Sequence, residues 1–583
     1  MSATTLTRQK SRRSLKSFFP ILQWLPKYQA SYLRVDVIAA LTVWALLVPE
    51  AMAYAGIAGM PPETGLYAAP LALLGYAIFG TSRHLNVGPS STVAALSLSV
   101  VVGFAAVGSP EFISLTVALA ILTGILLVIG GLLRLGVLAD FLSRPVLDGF
   151  IVGVAITVAV GQLDKLLGFI PEHPNFVPEL LAFIGNLGQT HGPTFIVGMI
   201  SLAALFLMHR YTPKIPAALT VMVLAILASG LLDLESYGIH IVGEIPAGLP
   251  PFGLPGAIPL NEILALLPGA AAIALVAFSE SIAVARTYAT RFNYKVQADQ
   301  ELIALGASNA GSGFSGGFVV DGSLSKTAAS VDAGATTQMV SIIAGIAVLI
   351  TAAFLTPLFY YLPEATLAAI VIHAVLHLIS YRPVWKYRKV TPLDFWTALV
   401  ATLGVLALGI LQGLLLAVFL GLLGLLIGSK KRTTSVLGKV PGEVAYRALE
   451  NFPEGETYPG LLIARFDGSL FFANAPEFAD ELRMGVEVTE PSPRVILVDA
   501  ESINDIDATA VITIKELEEE FERVGVDLRF AHVKTHVMDI MRRAGIEEAV
   551  EPQHFYITIQ DGVDAFLAEP ERVDENTSVT GEL

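Results

Sequence analysis

Between about Asp36 and Gly428 the chain is a succession of apolar runs near the length, roughly 20 residues, at which an α-helix crosses a bilayer. A backbone in hydrocarbon must satisfy its own amides and carbonyls, so such runs fold as spanning helices. About fourteen can be read, near 36–52, 66–80, 90–104, 112–133, 145–163, 193–208, 216–232, 265–285, 300–311, 324–332, 337–356, 364–380, 394–409 and 411–428. The segments starting near 90 and 324 are too short to cross alone. Broken backbone at membrane depth is tolerated only where protein or an aqueous cavity satisfies it, so these two should line a cavity. Composition agrees: 54% of residues are hydrophobic and 15% charged, whereas about a quarter of a soluble domain is charged.

Two of these runs share a pattern about 230 residues apart. Glu50, Met52, Ala53 and Ala55 in the first reappear as Glu280, Ile282, Ala283 and Ala285 in the second. About 40 residues after each carboxylate the chain turns small and polar, at Gly88-Pro89-Ser90-Ser91-Thr92 and at Gly322-Ser323-Leu324-Ser325-Lys326. Corresponding interruptions in two halves of a hydrophobic chain point to a secondary transporter of inverted repeats, with substrate held between broken helices at the midplane.

Charge divides the chain near residue 433. Residues 434–583 hold 31 acidic and 12 basic side chains, net −19, against −15 for the whole chain. Basic residues cluster before the first run (Arg8, Lys10, Arg12, Arg13, Lys16, Lys27, Arg34), at Arg382, Lys386, Arg388 and Lys389, and at Lys430, Lys431 and Arg432. The positive-inside bias places these in the cytoplasm, with both termini, which needs an even number of spans and agrees with fourteen. The N-terminus lacks a cleavable signal pattern, so the first span directs insertion into the cytoplasmic membrane. There are no cysteines, hence neither disulfides nor thiolate metal sites.

The expected organisation is a cytoplasmic segment over 1–35, a transmembrane domain over 36–430, a linker over 431–445, a soluble α/β domain over 446–570 and an acidic tail over 571–583. In the α/β domain, residues 461–466, 495–499 and 526–530 are apolar runs of strand length. Residues 510–522 between them have helical spacing with a charged face, so βαβ units and a mixed or parallel sheet follow. The tail has almost nothing to bury and reads as disordered.

Pro49-Glu50-Ala51-Met52-Ala53-Tyr54-Ala55, then Pro61-Pro62, Gly65-Leu66-Tyr67, Gly80-Thr81-Ser82-Arg83 and Gly88-Pro89, resembles the signature of the SulP family of anion transporters. Later blocks follow in family order: Phe141 to Val146 with Gly149-Phe150, Asp299 to Leu302 with Gly306 and Asn309, and Gly322 to Thr327. The C-terminal unit, with Asn504 to Ala510, resembles a STAS domain. The resemblance implies a seven-plus-seven inverted repeat with core and gate subdomains, elevator-like motion and a homodimer.

At the breaks, two half-helices meeting head to head make an anion site, because a helix N-terminus carries unpaired amides and about half a positive charge. Ser90, Ser91 and Thr92 open one half-helix; Ser323, Leu324 and Ser325 open the other. Their hydroxyls are donors for an oxyanion, and also ordinary helix caps. Lys326 supplies one positive charge where the family more often has Arg, so bidentate oxyanion geometry is in doubt. Tyr54, one turn after Glu50, either walls the pocket or packs.

A carboxylate within a spanning segment is expensive and by default functional. Glu280 reads as the proton-coupling residue: related sodium-dependent members pair an acid here with a hydroxyl one turn later, where this chain has Val284. Glu50 stands where many relatives have Gln. Beside an anion it must be protonated, directed away or part of the cation path. No Walker A spacing exists, and ten histidines show no clustered ligand pattern, so neither an ATP motor, a metalloenzyme nor a cofactor is expected. Soluble STAS relatives are phosphorylated at a Ser where this chain has Ala508 and Thr509, which leaves Thr509 as the one regulatory candidate.

The expected function is therefore secondary active transport of an inorganic anion, sulfate before bicarbonate or dicarboxylate, with a proton as the coupled ion. Lipid and a second copy are the expected partners; nucleic acid is not. An exchanger or channel on the same fold would need no coupling acid.

Overall fold

The structure is a computed structural model describing residues 18–137, 143–168, 176–212, 215–256, 258–376, 378–379, 381–428 and 434–569. It forms two compact units that divide between Leu422 and Leu423. The expected tail over 571–583 lies outside the described residues.

Each expected apolar segment falls on a helix. In chain order these are α1 (Ala30–Ile57), α2 (Pro62–Phe79), α3 (Ser91–Val101), α4 (Pro110–Leu132), α5 (Arg144–Val160), α6 (Gly192–Tyr211) and α7 (Ala217–Leu232). Then come α8 (Leu260–Arg291), α9 (Ala298–Phe314), α10 (Leu324–Asp332), α11 (Met339–Ile350), α12 (Glu364–Leu376), α13 (Pro392–Leu408) and α14 (Ile410–Gly428). Six helices among the described residues are long and apolar enough to cross a membrane. At about 1.5 Å per residue, α3 and α10 reach only half of a bilayer core of about 30 Å.

Each short helix follows a three-residue strand, β1 (Asn86–Gly88) before α3 and β2 (Asp321–Ser323) before α10. The strands pair antiparallel, Asn86 opposite Ser323, Val87 opposite Gly322 and Gly88 opposite Asp321. One small ladder therefore sets where both helices begin. Its surroundings are hydrogen-bonded rather than merely packed. Glu301, fully buried on α9, accepts from Tyr76 Oη at 2.5 Å, Thr81 N at 2.7 Å and Ser82 N at 3.2 Å, fixing the turn that leads into β1. Gln338 Nε2 donates to Ser82 O and Leu85 O on the same turn.

Gly322 shows why the ladder sits where it does. Its amide donates to Ser281 Oγ at 2.7 Å, and a Cβ added to it would stand 2.9 Å from that oxygen and 3.0 Å from Ser281 Cα. Only glycine lets β2 lie this close to α8. The glycine-rich stretch from Gly311 is helical as far as Phe314, where the helix breaks. Gly311 and Gly313 there bring α9 against the backbones of Leu71 on α2 and Val117 on α4, the small-residue contact by which membrane helices approach closely.

The second unit is a six-stranded sheet in the order β4 (Tyr446–Ala448), β3 (Thr434–Lys439), β5 (Leu461–Phe466), β6 (Val495–Asp499), β7 (Asp527–Ala531), β8 (Phe555–Tyr556). Strands β5 to β8 run parallel and β3 antiparallel, so the sheet is mixed. Helices α15 (Ala475–Val488), α16 (Ala508–Arg523), α17 (Thr535–Ala544) and α18 (Ile559–Ala568) complete it. The stretch expected to be a linker, 431–445, contains β3: Thr434, Ser435 and Val436 pair with β5, and the buried Leu437 pairs with Ala448 of β4.

Candidate anion and coupling site

The two matched carboxylates each reach the other half's short helix. Glu50, just after the helix-internal Pro49 of α1, forms an ion pair with Lys326 of α10, Oε2 to Nζ 3.0 Å. Glu280 of α8 faces the Thr92 hydroxyl of α3. Counting from Gly88 and Gly322, Thr92 and Lys326 occupy the same position. The exchange is symmetric in placement and unlike in chemistry.

Lys326 is 2% exposed and is not a surface lysine. Its ammonium also donates to Pro89 O at 3.0 Å and to Ser323 Oγ at 3.4 Å, and lies 5.5 Å from the Tyr54 ring centroid. Four partners from α1, the β1–α3 junction and α10 thus converge on one cation. Glu50 is therefore not free: Lys326 stands against its carboxylate as a counter-charge. Such a buried pair costs desolvation that its attraction roughly repays, so its use here is to fix geometry and remove net charge.

The short helices begin differently. At α10, Ser323 caps the helix by accepting from Lys326 N, and its hydroxyl lies 3.1 Å from Ser325 Oγ. Leu324 and Ser325 are exposed. At α3, Ser91 and Thr92 are buried, Ser90 is half-buried, and the Ser90 side chain closes no cap. The open face is therefore on α10: Ser325 presents a hydroxyl beside the amides of a helix start, above the Lys326 charge.

Asp321, one residue before Gly322, does not stand out in the sequence. It is 1% exposed, lies close to the Glu280 carboxyl, and has the Ser90 hydroxyl beside it. Among the described residues, both Asp321 carboxylate oxygens, Glu280 Oε1 and Ser90 Oγ are buried without a closed hydrogen bond. The available signal was an acid in a polar break whose counterpart in the first half is Val87.

In the second unit Thr509 is half-buried in the first turn of α16, where Asp507 caps by accepting from Ala510 N at 2.8 Å. The fold also gathers His532, Asp499 and Glu501, a grouping of ligand types that linear spacing does not suggest. His532 Nδ1 lies 2.9 Å from Asp499 Oδ1, so those two groups already satisfy one another.

Residues 33–401 match the model of the sulfate permease family, and residues 452–562 match the STAS domain. A probable sulfate transporter of Mycobacterium tuberculosis is 36% identical over 545 residues, 93% of this chain and 96% of the relative. The chloroplastic sulfate transporter 4.1 of Arabidopsis thaliana is 33% identical, covering 95% of this chain and 83% of the relative. Among solved structures, the murine solute carrier 26 family member A9 anion transporter in its inward-facing state superposes with a TM-score of 0.89 at 24% identity, over 97% of each chain. The transmembrane domain of a cyanobacterial bicarbonate transporter superposes at 0.58 and 21% identity, over 67% of this chain and 98% of its own.

Proposed function

We propose, from the premise that this chain belongs to the sulfate permease family, that it carries sulfate across the cytoplasmic membrane together with protons. It is a multi-pass anion transporter and not an enzyme. Sulfate as the anion, proton coupling, elevator-like movement of a core carrying α3 and α10, a homodimer and cytoplasmic termini are our reading. The STAS unit is regulatory in this reading, with Thr509 as its candidate modification point. The observation that carries it is the exposed Ser325 hydroxyl at a helix start whose underlying Lys326 is held by Glu50.

The chemistry follows from that arrangement. An oxyanion at the start of α10 meets unpaired backbone amides, the positive end of the helix dipole and the Ser323 and Ser325 hydroxyls, without a fully cationic cage. Binding is then tight enough to load and weak enough to release. Import of a divalent anion against a negative-inside potential costs about 2.3 kcal/mol per charge per 100 mV, so even electroneutral entry needs two protons. Ser90, Ser91, Thr92, Ser323, Leu324, Ser325, Lys326 and Tyr54 frame the anion, and Glu280 carries a coupled proton.

Radiolabelled sulfate uptake by the full-length protein in proteoliposomes tests this. An inward proton gradient should drive accumulation, and replacing potassium by sodium should change nothing. Absence of sulfate uptake under any gradient, with bicarbonate or a dicarboxylate carried instead, overturns the substrate. Equal uptake with and without the gradient overturns the coupling.

A further inference from the structure

We propose that Asp321 and Glu280 form a two-carboxylate site that holds one transferable proton between them, and that this proton must be in place before the anion binds. The inference rests on the transport reading above and names the partner acid that reading lacks.

The geometry excludes Glu50 as that partner. Its carboxylate is committed to Lys326 at 3.0 Å, so the pair contributes no net charge. Asp321 has the Ser90 hydroxyl and the Glu280 carboxyl beside it and closes no hydrogen bond to either. Gly322, anchored on Ser281 of α8, sets the neighbouring Asp321 against Glu280, which precedes Ser281 on the same helix. Neither Asp321 oxygen closes a hydrogen bond, nor does Glu280 Oε1. Two carboxylates sharing a buried site cannot both ionise cheaply, and a buried acceptor without a donor is unfavourable. A single proton between them serves both needs: it donates across the pair and removes one charge.

The other polar groups around the pair support this. Thr92 and Ser90 of the α3 start stand beside Glu280 and Asp321 respectively, and both are hydroxyls that can donate to the remaining charge. Lys326, paired with Glu50, also acts on Asp321, and Tyr54 feels both Glu50 and Asp321, so among the described residues the cation nearest the acid pair is already neutralised. With both acids ionised the site carries two uncompensated negative charges next to an anion. With the proton bound it carries one. Anion binding and proton binding are thereby linked through charge. The fold does not demand the acid, since the corresponding residue of the first half is the apolar Val87.

Asp321→Asn and Glu280→Gln each replace the shared proton by an amide that donates across the same gap. In the full-length wild type, sulfate affinity should weaken about tenfold per pH unit on the alkaline side, one proton per anion. In both variants it should stay within about twofold over the same range. Infrared difference spectra of the anion-free protein in lipid, between acid and alkaline pH, read the pair without sulfate. A carboxylic-acid band should appear in the wild type and vanish in both variants. A band that survives in Asp321→Asn, a variant that keeps the wild-type pH profile, or sodium replacing acid as the agent that restores affinity would overturn the proposal. If the band behaves as expected while the wild type binds no sulfate at any pH, the pair stands and the sulfate reading falls.

Discussion

The two matched stretches place a glutamate identically and give it opposite surroundings. Glu50 meets an ammonium, so its half of the site is an ion pair locked onto Pro89 O and Ser323 Oγ. Glu280 meets a hydroxyl and a second acid, so its half has charge to trade. The starts of the short helices differ in the same sense: Ser325 is exposed where the corresponding Ser91 is buried. The two matched stretches share a placement, and the differences between them set the charge of each. A site with both halves like the first would be a rigid anion cradle, whereas one with both halves like the second would repel its substrate.

The largest effect that separates the halves is at the helix starts. Ser325→Trp puts a bulky ring on an open face, so the protein should fold and insert while sulfate uptake is abolished. Ser91→Trp overpacks a buried position and should cost about 1–3 kcal/mol of stability or more. Size-exclusion profiles and uptake, measured side by side, check both. Normal uptake by Ser325→Trp would place the anion elsewhere.

Next in size is the ion pair. Lys326→Met strands the Glu50 carboxylate in a buried site, and breaking such a pair from one side costs about 3–5 kcal/mol. Adding Glu50→Gln removes the stranded charge and should recover most of that loss in thermal unfolding. Two single variants whose losses add in the double variant would show that the groups do not act as a pair.

Much of this was legible in the chain and some was not, for physical reasons. Spanning helices announce themselves because about 20 apolar residues in a row have few other fates. Helices α3 and α10 were marked by Gly, Pro and Ser clusters that stop one element and cap the next. The strand Thr434–Lys439 is not legible, because two adjacent apolar residues among polar ones after a basic run carry no strand periodicity and read as linker. Asp321 escaped because its role depends on Gly322 touching Ser281, a contact that no linear spacing encodes. The partnership of Glu50 with Lys326 is likewise a product of the β1–β2 ladder, which sets α10 beneath α1.

The smallest effect tests whether Glu50 does anything beyond neutralising Lys326. Glu50→Gln keeps the shape and leaves the ammonium with Pro89 O and Ser323 Oγ as partners, both uncharged. Without anion, a buried cation lacking its counterion destabilises the fold. With anion, the site holds one more unit of positive charge than before, and a unit charge near the surface of a site is worth on the order of 1 kcal/mol or more at these separations. Sulfate affinity should therefore rise about tenfold, and the thermal shift produced by saturating sulfate should be larger than in the wild type, since binding stabilises the folded state by mass action. Transport need not gain, because tighter binding slows release. Isothermal titration and thermal unfolding on the same preparation separate the two contributions. A fall in affinity would mean that Glu50 orients Lys326 toward the anion rather than simply cancelling its charge.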